Sequence, residues 1–376
     1  MLGNVLRGSD SRKQTVRFQM KNSLRVRLPK QIQGLLILLG AALLLSGCSN
    51  IGYYSQAVSG HLKLMSNRQN IDELLAENSI DATLRTKLQT LVDARSFAVE
   101  HLLLPDNDSY TTYVETGKDA ITWNVVAADE FSVQANTWCF PVAGCVSYRG
   151  YFNREEAQNF ADSLAVQSMD VTIGGASAYS TLGWFADPVL DTMLRGHDIR
   201  YVGTLFHELA HQVVYIKDDS NFNEAFASFV EQIGMRHWLE QRGEKERIAV
   251  YDDSLNRSEG FSNLLKETRE SLQALYAEQL PPEEMRVAKS EVFSTMRENY
   301  EKLKIDWNGY VGYDNWFKRD LNNARLVAVA TYRRYVPAFY ALYKEADSDL
   351  ERFYQIAKQL ANMENKARQA RLEALI

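Results

Sequence analysis

Apolar positions recur at three- and four-residue spacing through residues 50–104, as at Leu74, Leu75, Leu84, Leu88, Leu91 and Val92. That period predicts helix. Pro105 and the cluster Asp106-Asn107-Asp108-Ser109 break it. From Tyr110 to about Phe152 the chain turns to short runs of Thr, Tyr, Val and Trp. TTYVET, AITWNVVA, FSVQANTW and VSYRGYF are expected strands. Residues 153–167 read as a short helix, and MDVTIGGASAYSTLGWFADPV returns to strand and loop character. From residue 188 helices are expected almost without interruption to Ile376. The predicted class is α+β, mostly helical, because the strands are grouped rather than alternating with helices.

The first 47 residues depart from this pattern. Between Met1 and Lys30 lie Arg7, Arg12, Lys13, Arg17, Lys21, Arg25, Arg27 and Lys30 against a single acid, Asp10. The uncharged run GLLILLGAALLLSG follows at 34–47. It is shorter than the roughly 20 residues that span a bilayer, so it reads as an export signal. The run ends in Leu45-Ser46-Gly47-Cys48, which resembles the lipobox of bacterial lipoproteins. That resemblance implies an acylated Cys48 as the first mature residue, facing the periplasm, with Ser49 favouring the outer membrane. Met20 would start a more ordinary signal. The expected division is 1–47 as signal, 48–105 as a helical segment, 106–240 as a core with a small sheet, and 241–376 as a helical region completing a cleft.

Removing residues 1–47 takes eight basic residues and one acid and moves the net charge from −6 to −13. A surface so acidic disfavours nucleic acid as a partner. It also leaves the lipid, not a basic patch, to hold the chain at a membrane. Hydrophobic residues at 45% and 24% charged residues exclude a disordered chain. Apart from Cys48, the cysteines are Cys139 and Cys145, with Pro141 and Gly144 between them for a turn. In an oxidising compartment such a pair is expected to form a disulfide. Zinc is the rival reading, but no further ligands lie nearby in sequence.

The chemistry is concentrated in Thr204-Leu-Phe-His207-Glu208-Leu-Ala-His211-Gln212. On a helix, His207 and His211 share one face, about 6 Å apart, and can bind one metal. Glu208 stands beside the first, where a general base acts. Val202, Leu205, Phe206, Leu209, Ala210, Val213 and Val214 make the helix apolar. Two histidines and a glutamate are costly in such surroundings unless a metal satisfies them. A catalytic zinc takes three protein ligands and keeps one position open. The next acidic motif is Asn223-Glu224-Ala-Phe-Ala-Ser-Phe-Val-Glu231.

HELAHQ followed by NEAFASFVE resembles the gluzincin metallopeptidases, the group that includes thermolysin and the membrane alanyl aminopeptidases. The resemblance implies a core of small sheet, HExxH helix and Glu helix, one Zn²⁺ per chain, and Glu224 as third ligand. Asn223 and Glu231 are then expected behind the ligands. More widely, the lipobox, WCFPVAGCVSYRGYF, GGASAYSTLGWF and NNARLVAVATYRRYVPAF resemble a bacterial family described as zinc-dependent aminopeptidases. Two departures stand out. Only 12 residues separate His211 from Glu224, fewer than in gluzincins, and Glu231 lies nearer the familiar spacing. The Gly-x-Met-Glu-Asn segment that grips a free amine in aminopeptidases is absent.

The expected function is peptide hydrolysis by a zinc-activated water with Glu208 as general base. An aminopeptidase acting on short peptides fits best. The oxyanion donor is expected on the later helix, at Tyr332 or Tyr335, with Asn322 and Asn323 ahead of them. SYRGYF or GGASAYSTLGWF would offer an edge strand to an extended peptide, with Tyr179 lining it. Two other classes remain open. One is a lipid-anchored binding or scaffold protein with a structural zinc, against which the intact Glu208 argues. The other is a zinc hydrolase of another bond, such as a cell-wall peptide crosslink.

Overall fold

The computed structural model describes residues 52–140, 144–178, 180–181, 185–330 and 334–376. Cys48 and the leader lie outside them, as do Tyr179 and Tyr332. The described residues are mostly helical with small sheets, an α+β arrangement. Among them no helix is long and apolar enough to cross a membrane.

The N-terminal part holds α1 (52–66), the two-residue strand β1 (Gln69–Asn70), α2 (Ile71–Ala76) and α3 (Ala82–Leu102). Asn70 and Asp81 cap α2 and α3 by accepting from backbone N–H groups in their first turns. The sheet region follows as β2 (Thr112–Val114), β3 (Thr122–Asp129), β4 (Trp138–Phe140), β5 (Gly144–Val146) and β6 (Arg149–Tyr151). Then come α4 (Arg154–Ala165), β7 (Met169–Ala176) and β8 (Val189–Leu190). Strands β6-β3-β7 form an antiparallel sheet in that order, with β3 and β7 in register from Thr122↔Ala176 to Asp129↔Met169. β1-β2-β8 form a second, mixed sheet, and β4-β5 a hairpin.

Two expectations are corrected here. FSVQANTW is not a strand: it turns, with one isolated bridge, Ala128↔Ala135, before Trp138 opens β4. The Ser132 hydroxyl accepts from Gln134 N at 3.1 Å, a local bond that competes with ladder pairing. Nor does helix begin at 188, because Val189 and Leu190 first pair in parallel with β2.

The remaining helices are α5 (Asp198–Ala210), α6 (Ser220–Gln241), α7 (Lys245–Tyr276), α8 (Pro282–Asp306), α9 (Asp314–Phe317), α10 (Asn323–Ala330), α11 (Val336–Glu345), α12 (Leu350–Ala361) and α13 (Asn365–Glu373). α6 is buried almost all round, which is why its apolar residues show no single stripe. Phe222, Phe226 and Phe229 meet Phe339 of α11, and Phe229 meets Phe353 of α12 at 4.7 Å. Leu205, Phe206 and Leu209 of α5 join that core with Leu88, Leu91 and Phe97 of α3. A second core packs Val126 and Ala128 of β3 against Phe261, Leu265, Met296 and Leu326.

Candidate metal centre

α5 runs through His207 and Glu208 and ends at His211, whose backbone is still helical at φ −58°, ψ −22°. The chain then returns in a short loop to α6, which carries Glu224. Asn223 makes that loop possible. Its Oδ1 accepts from Ile216 N at 2.8 Å and its Nδ2 donates to Ile216 O at 2.7 Å. One buried side chain thereby replaces the backbone partners that a longer connection would supply. Asp219 caps α6 by accepting from Phe222 N. It is itself held by Arg368, whose Nε and Nη2 both reach Asp219 Oδ2, at 2.9 and 2.7 Å.

His207, His211 and Glu224 converge, with one donor atom from each within 4.8 Å of the others. Glu224 Oε2 lies 3.3 Å from His207 Nε2, and Glu224 Oε1 lies 3.8 Å from His211 Nε2. Zinc–ligand bonds of about 2.0–2.1 Å set tetrahedral ligand separations of roughly 3.4 Å, so a small closure suffices. Two imidazoles and one carboxylate are also the donor types zinc takes. The residues present therefore fit the ion that the resemblance implies. Behind the triad, Glu231 Oε2 lies 3.2 Å from His207 Nδ1. That contact would fix the ring so that Nε2 faces inward. Burial alone would lower the His207 pKa, but Glu224 and Glu231 override it and raise it to about 10. His211 goes the other way, to about 4, through burial and the charge on His207.

Glu208 is not one of the three converging donors. Burial first, then the Glu224 and Asp187 carboxylates, push it up to about 7, against the pull of His207. The Ser180 hydroxyl nearby acts the other way, to lower it. Cys139 and Cys145 are disulfide-bonded across the β4–β5 hairpin. That hairpin docks on the loop between the ligands, where Cys145 N donates to Asp218 Oδ1 at 2.5 Å. Gly144 sits at φ 76°, and a Cβ there would overlap Asp218.

A family model described as "Putative aminopeptidase" matches residues 52–372. The chain belongs to that family. No curated protein and no solved structure matches it. The family description carries peptidase activity and does not name a metal.

Within this aminopeptidase family chain, the structure places the other expected residues as follows. Tyr335 is buried at the start of α11. Asn322 donates to Val171 O, and Asn323 donates to Asp129 O and Glu130 O, tying α10 to the sheet. Other residues near the centre were missed. Tyr110 is buried at φ 62°, and Glu208 is the first charge acting on it. Asp187 is fully buried and accepts from Thr181 and Ser180. Tyr215 is half-buried, its ring 6.4 Å from that of His211. A left-handed tyrosine and contacts across long stretches of chain leave no local signal in a sequence.

Proposed function

We propose that this chain is a zinc-dependent aminopeptidase that hydrolyses short peptides. The observation that carries the reading is the convergence of His207, His211 and Glu224 within 4.8 Å, with Glu208 beside them and outside the donor set. When bound, zinc supplies a Lewis acid that polarises the scissile carbonyl and acidifies water. His207, His211 and Glu224 would hold it, and Glu231 would orient His207. Glu208 takes the proton of the attacking water and passes it to the leaving amine. Tyr332 is the proposed donor to the oxyanion.

The test is a peptide library with free amines set against the same library N-acetylated. Cleavage of the free-amine set alone supports an aminopeptidase. Equal cleavage of both sets makes the enzyme an endopeptidase, and cleavage of neither removes the peptidase reading.

We further propose that acylation at Cys48 holds the mature chain on the periplasmic face of a bacterial membrane. Cys48→Ala should move the protein from the membrane fraction to the soluble one. A Cys48→Ala protein that stays with the membrane would remove this assignment.

A further inference from the structure

Arg325 on α10 is 7% exposed, and its Nε has no hydrogen-bond partner among the described residues. Its Nη2 donates to Trp316 O at 2.6 Å, and its guanidinium lies 4.7 Å from the centre of the Trp316 ring. The charges acting on it are Arg319 and Arg297, both positive, and with burial they lower its pKa to about 10. Those two are also held by backbone carbonyls: Arg319 by Ile173 O, Arg297 by Phe317 O and Arg319 O. Among the described residues none of the three forms an ion pair. A buried guanidinium without a counter-charge is costly, and this chain is otherwise acidic. A ligand that brings a negative charge would relieve the cost.

Space for one is present. A cavity of about 290 Å³ is lined by Arg325, Arg319, Trp316, Asn124, Thr172 and Gly174, among others. A Cβ at Gly174 would meet nothing within 4 Å, so the β7 backbone is open to it. The guanidinium carbon lies over the Trp316 ring, and a planar fork suits a carboxylate. A short stretch of chain joins the cavity to the chemistry. From Gly175, which lines it, to Ser180, which acts on the Glu208 carboxyl, is five residues. That stretch spans at most about 18 Å, roughly the length of an extended pentapeptide.

We propose that the Arg325 cavity binds the C-terminal carboxylate of a short peptide whose scissile bond lies at Glu208. The assignment rests on the peptidase reading and makes it more specific. The substrates are short peptides with a free C-terminus, not folded proteins.

The experiment compares hexa-alanine, which has five residues beyond its first peptide bond, as free acid with hexa-alanine amide on the zinc-loaded full chain. It reads both kcat/KM and, in the Glu208→Gln chain, the Kd. The free acid should be favoured by roughly 10–100-fold, as one charge-assisted contact allows. The difference should lie in KM rather than kcat. Arg325→Gln should bring the ratio to about 1 by weakening the acid alone. Arg325→Lys should keep part of the preference, and amide binding reports folding in both variants. Equal affinity for acid and amide in the unaltered chain overturns the proposal, as does a preference that survives Arg325→Gln. N-acetyl-alanine that binds in an Arg325-dependent way while the two peptides bind alike points to a free carboxylic acid, and overturns the substrate-end assignment. If neither peptide is cleaved but the acid–amide difference in Kd persists, the peptidase reading fails and the carboxylate site stands.

Discussion

Glu231 Oε2 lies 3.2 Å from His207 Nδ1, with Gly203 giving the same carboxylate room on its other side. A Cβ at position 203 would sit 3.1 Å from Glu231 Oε1. Gly203→Ala should therefore displace the carboxylate from His207. Elsewhere in a helix the same change stabilises by about 0.5–1 kcal/mol. The expected outcome is an unchanged or higher melting temperature with zinc affinity lower by up to about 10-fold, the low end of what loss of an outer partner costs, because the carboxylate needs to move only a little. Titration against a zinc-buffered chelator measures the second quantity. Zinc affinity that is unaltered would mean Glu231 does not orient the ring.

The third ligand is tested by a pair of variants. Glu224→Gln should lose zinc, since a neutral amide is a poor ligand, whereas Glu231→Gln should weaken binding only as an outer contact does. Metal content after dialysis distinguishes them. Loss of metal in Glu231→Gln alone would move the ligand to the position with the longer spacing.

Glu208→Gln should keep zinc and thermal stability while lowering hydrolysis by about 10²–10⁴-fold. The pH dependence follows from the same carboxyl. Glu208 must be ionised to accept a proton, so activity rises with pH through its pKa. In the metal-free chain that pKa is raised to about 7. A bound cation favours the carboxylate, so the acid limb of kcat/KM in the zinc-loaded chain should fall below 7. An acid limb displaced above 7 on zinc loading would contradict this sign.

The pair Arg368–Asp219 is almost wholly buried, at 4% and 6% side-chain exposure. Arg368→Met leaves the buried Asp219 charge without its counter-charge, with only Phe222 N and Asn365 Nδ2 still donating to it, at the cap of the helix that bears Glu224. Denaturant unfolding should show a loss of about 3–5 kcal/mol, and zinc affinity should fall with it. A loss below about 1 kcal/mol would mean that the pair does not hold α13 to the ligand helix.

Much of the centre was legible in the sequence because its parts are close together. His207, Glu208 and His211 lie within two helical turns, and Asn223 and Glu224 open the next helix. The short spacing to Glu224 looked anomalous, since nothing in the string shows that Asn223 bonds twice to Ile216. The strand expected at FSVQANTW failed because the Ser132 side chain bonds locally, which alternation of residue type does not reveal. β8 was missed because two residues are too few to show a period. Tyr110, Ser180 and Asp187 meet Glu208 only through the fold, and nothing in the string shows that Arg325 is buried.

The most direct test of the central claim is hydrolysis of a free-amine peptide by the chelator-treated full chain, before and after one equivalent of zinc. Activity should be absent before zinc and restored after it, and Glu208→Gln should take up the same zinc without recovering activity. Hydrolysis that continues at full rate without metal, or that zinc does not restore, would contradict the account.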